Sequence, residues 1–221
     1  PAVHAWTIDT TPPTVSVDSL SKALLKAGES SNLSWHANEN GNFQLRVGGA
    51  DCETGTVIDS GAYSDQPNTK VSAVAAASLA EGANTLRLCL TDAAGNRGTA
   101  TEAISRDTGA PETTIGTKPA ALTNATTADF TFSGEDGSGS GVASFECRLD
   151  SGSFAPCTSP RQLTDLAQGA HKLEVRAIDN AGNVEPTPAA HEWTVDTTAP
   201  VVQIDSGPSG LTNDSTPTFN F

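Results

Sequence analysis

Apolar residues in this chain recur at every second position. Leu86, Leu88 and Leu90 alternate with Thr85, Arg87 and Cys89, and Leu173, Val175 and Ala177 alternate with Lys172, Glu174 and Arg176. Leu33/Trp35, Phe43/Leu45/Val47 and Phe130/Phe132 keep the same period. Such alternation turns one side chain in two toward a core, which predicts half-buried strands rather than helices. The intervening segments are rich in Gly, Asp, Asn and Ser, the residues that tight β connections require. Only residues 71–79 have a helical composition, and that alanine-rich piece is short enough for a strand or a single turn.

The alternating segments belong to a repeat. Ile8-Asp9-Thr10-Thr11-Pro12-Pro13 returns as Arg106-Asp107-Thr108-Gly109-Ala110-Pro111 and as Val195-Asp196-Thr197-Thr198-Ala199-Pro200, with the aspartates 98 and 89 residues apart. Thr91-Asp92-Ala93-Ala94-Gly95-Asn96 returns 87 residues later as Ile178-Asp179-Asn180-Ala181-Gly182-Asn183. Repeats of about 90 residues, each with several short strands, predict seven-stranded antiparallel sandwiches. The ends continue the pattern. Residues 1–8 match residues 188–195, and residues 211–221 match residues 122–132. The expected organisation is therefore the last strand of a preceding repeat (1–8), two whole repeats (9–106 and 107–195), and the first strands of a following one (196–221). On this reading the chain is an excerpt of a longer protein.

Charge narrows the choice of partners. Lys and Arg number 12 against 26 Asp and Glu, a formal charge of −14 in 221 residues. That surface repels phosphate backbones and anionic lipid, so the expectation is no nucleic-acid partner and no basic membrane patch. It favours divalent cations. The longest run of small apolar residues, Ala73 to Ala77, falls far short of the roughly 18 needed to span a bilayer, so no membrane insertion is expected of this segment. Aromatic residues make up only 5% of the chain, so each core is small and neighbours and crosslinks add to its stability.

Phe145-Glu146-Cys147-Arg148-Leu149-Asp150, the Asp-x-Ala-Gly-Asn turns and the Asp-Thr-Thr-Ala-Pro junction resemble tandem bacterial immunoglobulin-like repeats of large surface or secreted proteins. The likeness spans the chain and is closest from Asp107 to Val195. The first repeat has Gly48-Gly49-Ala50-Asp51-Cys52 in place of the Phe-Glu-Cys stretch. The resemblance implies an all-β tandem of immunoglobulin-like sandwiches, an extracellular or bacterial cell-surface location, and a stalk that holds an adhesive or catalytic module away from the cell. It also implies calcium at the junctions as a stiffener.

Four cysteines allow three connectivities. Cys147 and Cys157 flank a turn, and a three-residue loop at 151–153 sets them directly opposite each other on neighbouring strands. Bridges confined to single repeats then pair Cys52 with Cys89. The junctions carry the acidic chemistry. In an immunoglobulin-type sandwich the incoming linker and the loops after strands B and F lie at one end. This gathers Asp9, Glu39, Asn40, Asp92 and Asn96 in the first repeat, and Asp107, Glu135, Asp136, Asp179 and Asn183 in the second. Calcium takes six to eight oxygens of these types. A metal-free alternative stands beside it, because Asp-x-Ala-Gly-Asn is also what a hydrogen-bonded turn needs. Asp136-x-Ser138-x-Ser140-Gly141 matches the start of an EF-hand loop, but Cys147 stands where the bidentate Glu belongs.

No nucleophile elbow, zinc-protease helix, phosphate loop or dinucleotide fingerprint occurs in the sequence, and the marked residues recur at turns rather than once in a pocket. The expected function is a non-catalytic extender whose partners are neighbouring repeats of the same chain. The alternative is an extracellular module for carbohydrate or protein adhesion, or a repeat packed by homotypic assembly into a filament. Trp6, Trp35, Trp193 and Tyr63 are candidates for a sugar platform, against which stands their spacing as core residues.

Overall fold

The computed structural model describes residues 4–64 and 67–221. The first repeat contains β1 (Val15–Leu20), β2 (Leu24–Leu25), β3 (Ser30–Ala37), β4 (Gly41–Val47), β5 (Thr56–Tyr63), β6 (Lys70–Ala75), β7 (Gly82–Thr91) and β8 (Arg97–Arg106). They form two sheets, β1-β3-β6 and β2-β8-β7-β4-β5. The alanine-rich piece continues β6 into a single 3₁₀ turn at Ala76–Ser78, so it is a strand and a turn in succession. The alternation seen in the sequence becomes the sandwich interior: Leu33, Trp35, Phe43, Leu45, Leu86, Leu88 and Leu90 are all buried in one core.

Trp35 sits at the centre of that core. Its ring lies 5.1 Å from Phe43 and 5.0 Å from Tyr63, and its Nε1 donates to Ser72 Oγ at 3.2 Å. The Tyr63 hydroxyl donates to Asn68 O at 2.7 Å and accepts from the Ala37 amide at 3.2 Å. Both large amphipathic rings are therefore buried with their polar atoms paired, which is the condition for placing them in a core at all.

The second repeat contains β9 (Glu112–Ile115), β10 (Leu122–Thr123), β11 (Ala128–Phe130), β12 (Phe132–Glu135), β13 (Val142–Leu149), β14 (Ala155–Cys157), β15 (Arg161–Leu163), β16 (Gly169–Asp179) and β17 (Ala189–Val195). One sheet is β10-β17-β16-β13-β14. The opposite layer is made of two pairs, β11 with β15 and β12 with β9. The strand equivalent to β3 is interrupted at Thr131, whose backbone bonds instead to Gly116 and Thr117. Phe130 packs on Trp193 at 5.4 Å, and His171 and His191 lie against the same indole at 5.5 and 6.0 Å.

In both repeats a two-residue strand runs parallel to the last strand. Leu24–Leu25 pairs with Ser105–Arg106, and Leu122–Thr123 pairs with Thr194–Val195. Backbone bonds flank each pair on both sides, Ser105 N to Ala23 O and Asp107 N to Leu25 O in the first, Thr194 N to Ala121 O and Asp196 N to Thr123 O in the second.

Disulfides join Cys52 to Cys89 and Cys147 to Cys157. The register of the second differs from the sequence expectation. Cys147 faces Ala155 and Cys157 faces Phe145, so the cysteines are diagonal neighbours on one face, with Cα atoms 5.7 Å apart. The turn runs from 150 to 154 because Phe154 leaves the ladder to lie under two guanidinium groups, 4.5 Å from Arg148 and 4.0 Å from Arg176. Cys52 belongs to a loop folded back over the outer face of β7, tied there by Cys89, by an Arg97–Glu53 ion pair and by Arg46 donating to Gly55 O at 3.1 Å.

The end segments do not form the strands expected of them. Residues 1–3 of the expected opening strand lie outside the described residues, and residues 4–8 carry no strand, with Trp6 84% exposed. Residues 196–221 form no strand and fold back at 210–216 to make one antiparallel bridge between Ser206 and Asn220. Strands gain their stability from a sheet that buries a face, and a lone bridge buries none.

Loop-closure entropy predicts that removing Cys52–Cys89, with a sequence separation of 37, costs about 4 kcal/mol, and Cys147–Cys157, with a separation of 10, costs about 3 kcal/mol. Denaturant unfolding of the two double-alanine variants checks both values. A second prediction concerns His171, whose Nε2 faces Ala167 O at 2.9 Å and whose Nδ1 faces Asp150 Oδ2 at 3.0 Å. The Ala167 carbonyl and, against the opposing effect of burial, Asp150 hold its pKa above the ordinary histidine value. The raised folded value means that this contribution to stability is complete below the unfolded pKa of about 6.5 and is lost as pH rises through the folded one. Melting temperatures followed from acid to alkaline pH should fall through that window in the parent and stay flatter in His171→Gln.

Candidate functional site

Each linker aspartate is followed two residues later by a backbone amide that turns back onto it. Thr11 N donates to Asp9 Oδ1 at 3.0 Å, Gly109 N to Asp107 Oδ1 at 3.1 Å, and Thr198 N to Asp196 Oδ1 at 3.0 Å. Such turns are what short acidic side chains offer a backbone that has left its sheet. The turns after β7 and β16 are built the same way as each other. Asp92 Oδ1 accepts from the amides of Ala94 (2.9 Å) and Asn96 (2.8 Å), and Asp179 Oδ1 from those of Gly182 (2.6 Å) and Asn183 (2.7 Å). Gly95 and Gly182 supply the positive φ, at 95° and 90°, that each turn needs.

Asparagine joins turn to linker. Asn96 Nδ2 donates to Asp92 Oδ2 at 3.0 Å and to Asp9 O at 3.1 Å, and Asn183 Nδ2 to Asp179 Oδ2 at 2.7 Å and to Asp107 O at 3.0 Å. Asp107 is held from both repeats. Its amide donates to Leu25 O of the first repeat, and its Oδ2 accepts from the Ser140 amide of the second at 2.6 Å. It is 3% exposed. Desolvation opposes its ionisation, but hydrogen bonds from Ser140 and Gly109 outweigh that, and its pKa lies below the usual carboxylate range.

Carboxylate oxygens of Asp9, Glu39 and Asp92 lie within 4.8 Å of one another, and so do those of Asp107, Asp136 and Asp179. Glu135 is not in the second group. It ends β12 facing solvent, opposite Glu112, and the next residue, Asp136, turns inward to accept from Gly141 N at 2.7 Å. Asn40 lies beside the first group and lines the same shallow cleft as Asp9, Glu39 and Asp92. Asn96 and Asn183 act as the braces just described. The Asp136-x-Ser138-x-Ser140 stretch connects two strands, without the helices of an EF-hand, and its Ser140 is the residue that holds Asp107. Three carboxylates with ligand atoms this close form a hard oxygen donor set. Asp92 and Asp179 spend both lone pairs of Oδ1 on amides, but their Oδ2 atoms accept one bond each and keep a lone pair, so these acidic groups could bind a metal ion.

Glu81 and Gln168 were missed in the sequence. Glu81 accepts from Thr108 N at 2.6 Å and from Thr108 Oγ1 at 3.0 Å, and Gln168 Oε1 accepts from Thr197 N at 2.6 Å and Thr197 Oγ1 at 2.8 Å. The signal was present as Leu79-Ala80-Glu81-Gly82-Ala83 returning as Leu166-Ala167-Gln168-Gly169-Ala170 in the same 87-residue register. Of the aromatic residues weighed as a sugar platform, Trp35, Tyr63 and Trp193 are buried in the two cores.

Neither a family model nor a curated protein matches this sequence. Solved structures do match. A 1.5-MDa bacterial ice-binding adhesin, studied for its retention at the host cell surface, aligns with a TM-score of 0.52 and 17% identity over 86% of this chain and 67% of its own. Domains A168–A170 of titin align with a TM-score of 0.50 and 11% identity, over 84% of this chain and 66% of theirs. The chain is a tandem of immunoglobulin-like sandwiches. A tetra-tandem repeat from the extending region of a large adhesion protein also matches, at 22% identity over 85% of this chain and 50% of its own, with a TM-score of 0.35. No helix among the described residues is long and apolar enough to cross a membrane.

Because the folded pKa of Asp107 is depressed, its contribution to stability is complete above the unfolded value of about 3.9 and is lost as pH falls through the folded value. Acid unfolding followed by tryptophan fluorescence should therefore show a steeper loss in the parent than in Asp107→Asn. Parallel curves would remove Asp107 from the account.

Proposed function

We propose that this chain is a non-catalytic extender segment of a large bacterial surface or secreted protein, holding a functional module away from the cell. The observation that carries the reading is the junction at Asp107, where one buried linker residue is bonded by backbone and side chain to the repeats on both sides. A chain of small sandwiches transmits position only if each joint resists bending, because reach grows with repeat number while stiffness is set joint by joint. The fold likeness to a bacterial ice-binding adhesin and the pair of disulfides support an extracellular setting. The partners on this reading are the neighbouring repeats of the same chain.

The two carboxylate groups extend the proposal. Calcium at the second junction would be held by Asp107, Asp136 and Asp179, and at the first by Asp9, Glu39 and Asp92. Its chemical contribution would be charge neutralisation and a crosslink between the linker, the loop after β3 or β12 (the B–C loop) and the turn after β7 or β16 (the F–G turn). The protein's own part is to preset those oxygens through the amides of residues 109, 140, 141, 182 and 183.

Calorimetric titration of chelator-treated protein tests this. Calcium should bind with a dissociation constant of about 0.1–1 mM, the range of extracellular modules. Asp136→Asn should lose the heat of the second site while leaving the circular dichroism spectrum unchanged. Absence of any calcium-dependent heat would overturn the metal and leave a joint made of hydrogen bonds and prolines.

A further inference from the structure

The first repeat meets the second through the turn Lys26-Ala27-Gly28-Glu29. Glu29 N donates to Lys26 O at 3.2 Å, and Gly28 has a φ of 79°. Glu29 Oε2 accepts from the Lys26 amide at 3.0 Å and from Lys22 Nζ at 2.6 Å. The backbone of Lys26 is thus fixed within its own repeat. Its side chain leaves that repeat, and Nζ donates to the carbonyl of Gly182 at 3.0 Å, across 156 residues of sequence.

Gly182 belongs to the F–G turn of the second repeat, and its own amide is bonded to Asp179 Oδ1 at 2.6 Å. The carbonyl that the ammonium meets shares its peptide group with the Asn183 amide, which donates to Asp179 Oδ1 at 2.7 Å. An ammonium is strongly hydrated, and it exchanges water for a carbonyl readily where nearby negative charge offsets the loss. Asp179 belongs to the same turn as this carbonyl, and ligand oxygens of Asp107 and Asp136 lie within 4.8 Å of its own. No side chain stands between the partners, since residue 182 is glycine, and a Cβ there would lie 3.5 Å from Lys26 Nζ.

We propose that Lys26 is an inter-repeat latch, a charged side chain of one sandwich seated on the F–G turn of the next, which sets the angle between them. The latch rests on the extender reading but not on calcium, because the cation is part of the chain. It is also specific to this joint. The parallel pairings align Leu24-Leu25 with Leu122-Thr123, so the position equivalent to Lys26 in the second repeat is Asn124, an uncharged and shorter side chain. Joints along the chain then differ in stiffness according to the residue at this one place.

Residual dipolar couplings of the whole 221-residue chain in chelator buffer test the proposal. In the parent, one alignment tensor should fit both repeats. In Lys26→Met the shared tensor should be lost, the behaviour of loosely joined domains, while the couplings within each repeat still fit its own structure. Lys22→Met, which removes an ion pair internal to the first repeat, should behave as the parent, and Lys26→Arg should restore a single tensor. A shared tensor in Lys26→Met would overturn the latch and leave the extender reading intact. Separate tensors in the parent would overturn the latch, and their persistence after calcium is restored would overturn the extender reading as well.

Discussion

Aspartate carboxylates that accept backbone amides hold this molecule together where its sheets end. A strand satisfies its own N–H and C=O groups through its neighbours, but a linker that leaves one sandwich for another loses those partners. In this chain the losses are met by Asp9, Asp107 and Asp196 in the linkers and by Asp92 and Asp179 in the F–G turns. Everything else at the junction follows from that arrangement. Each carboxylate takes its own amides at the same end of the sandwich, which brings three of them within 4.8 Å of one another and concentrates negative charge there. The cores have few aromatic rings, so the ends of each repeat depend on these polar contacts more than on buried apolar area.

Much of this was legible in the residues. The two-residue period specified which side chains enter each core, because only one register of an alternating strand buries its apolar set. The 87-residue spacing of the F–G turns located the same end of both sandwiches, and Asp92, Asp179, Asn96 and Asn183 do meet the linkers there. What the residues did not reveal was parity at strand ends. Glu135 and Asp136 are adjacent acids, and which one turns inward depends on where β12 stops. The hairpin after Cys147 departs from the expected register for a related reason, since Phe154 lies against two arginines, which lengthens the turn and shifts the cysteines to a diagonal. Glu81 and Gln168 were overlooked because a single acidic or amide residue before a glycine carries no pattern of its own until the linker threonine is placed beside it.

The two repeats solve one packing problem differently. In the second, Glu185 is buried and accepts from Thr113 N at 3.1 Å, Thr113 Oγ1 at 2.5 Å and Ala177 N at 3.0 Å, clamping β9 to β16. The equivalent residue in the first repeat is Gly98, packed against the Pro13 carbonyl where no Cβ fits. One repeat closes this seam with a side chain and the other by direct backbone approach. The same backbone plan therefore tolerates sequence change at a seam as long as the amides there keep a partner.

The short parallel pairing between the second and last strands of each repeat has a mechanical meaning. Tension applied along the chain draws β2 toward the N-terminal side and β8 toward the C-terminal side, and it does the same to β10 and β17. Because these partners run parallel, the pull slides one strand along the other and loads the cross-strand bonds of the pair together. An antiparallel hairpin pulled from its open end would instead break its bonds one after another. Each sandwich is thus closed by a shear clasp at the point where the load enters and leaves it.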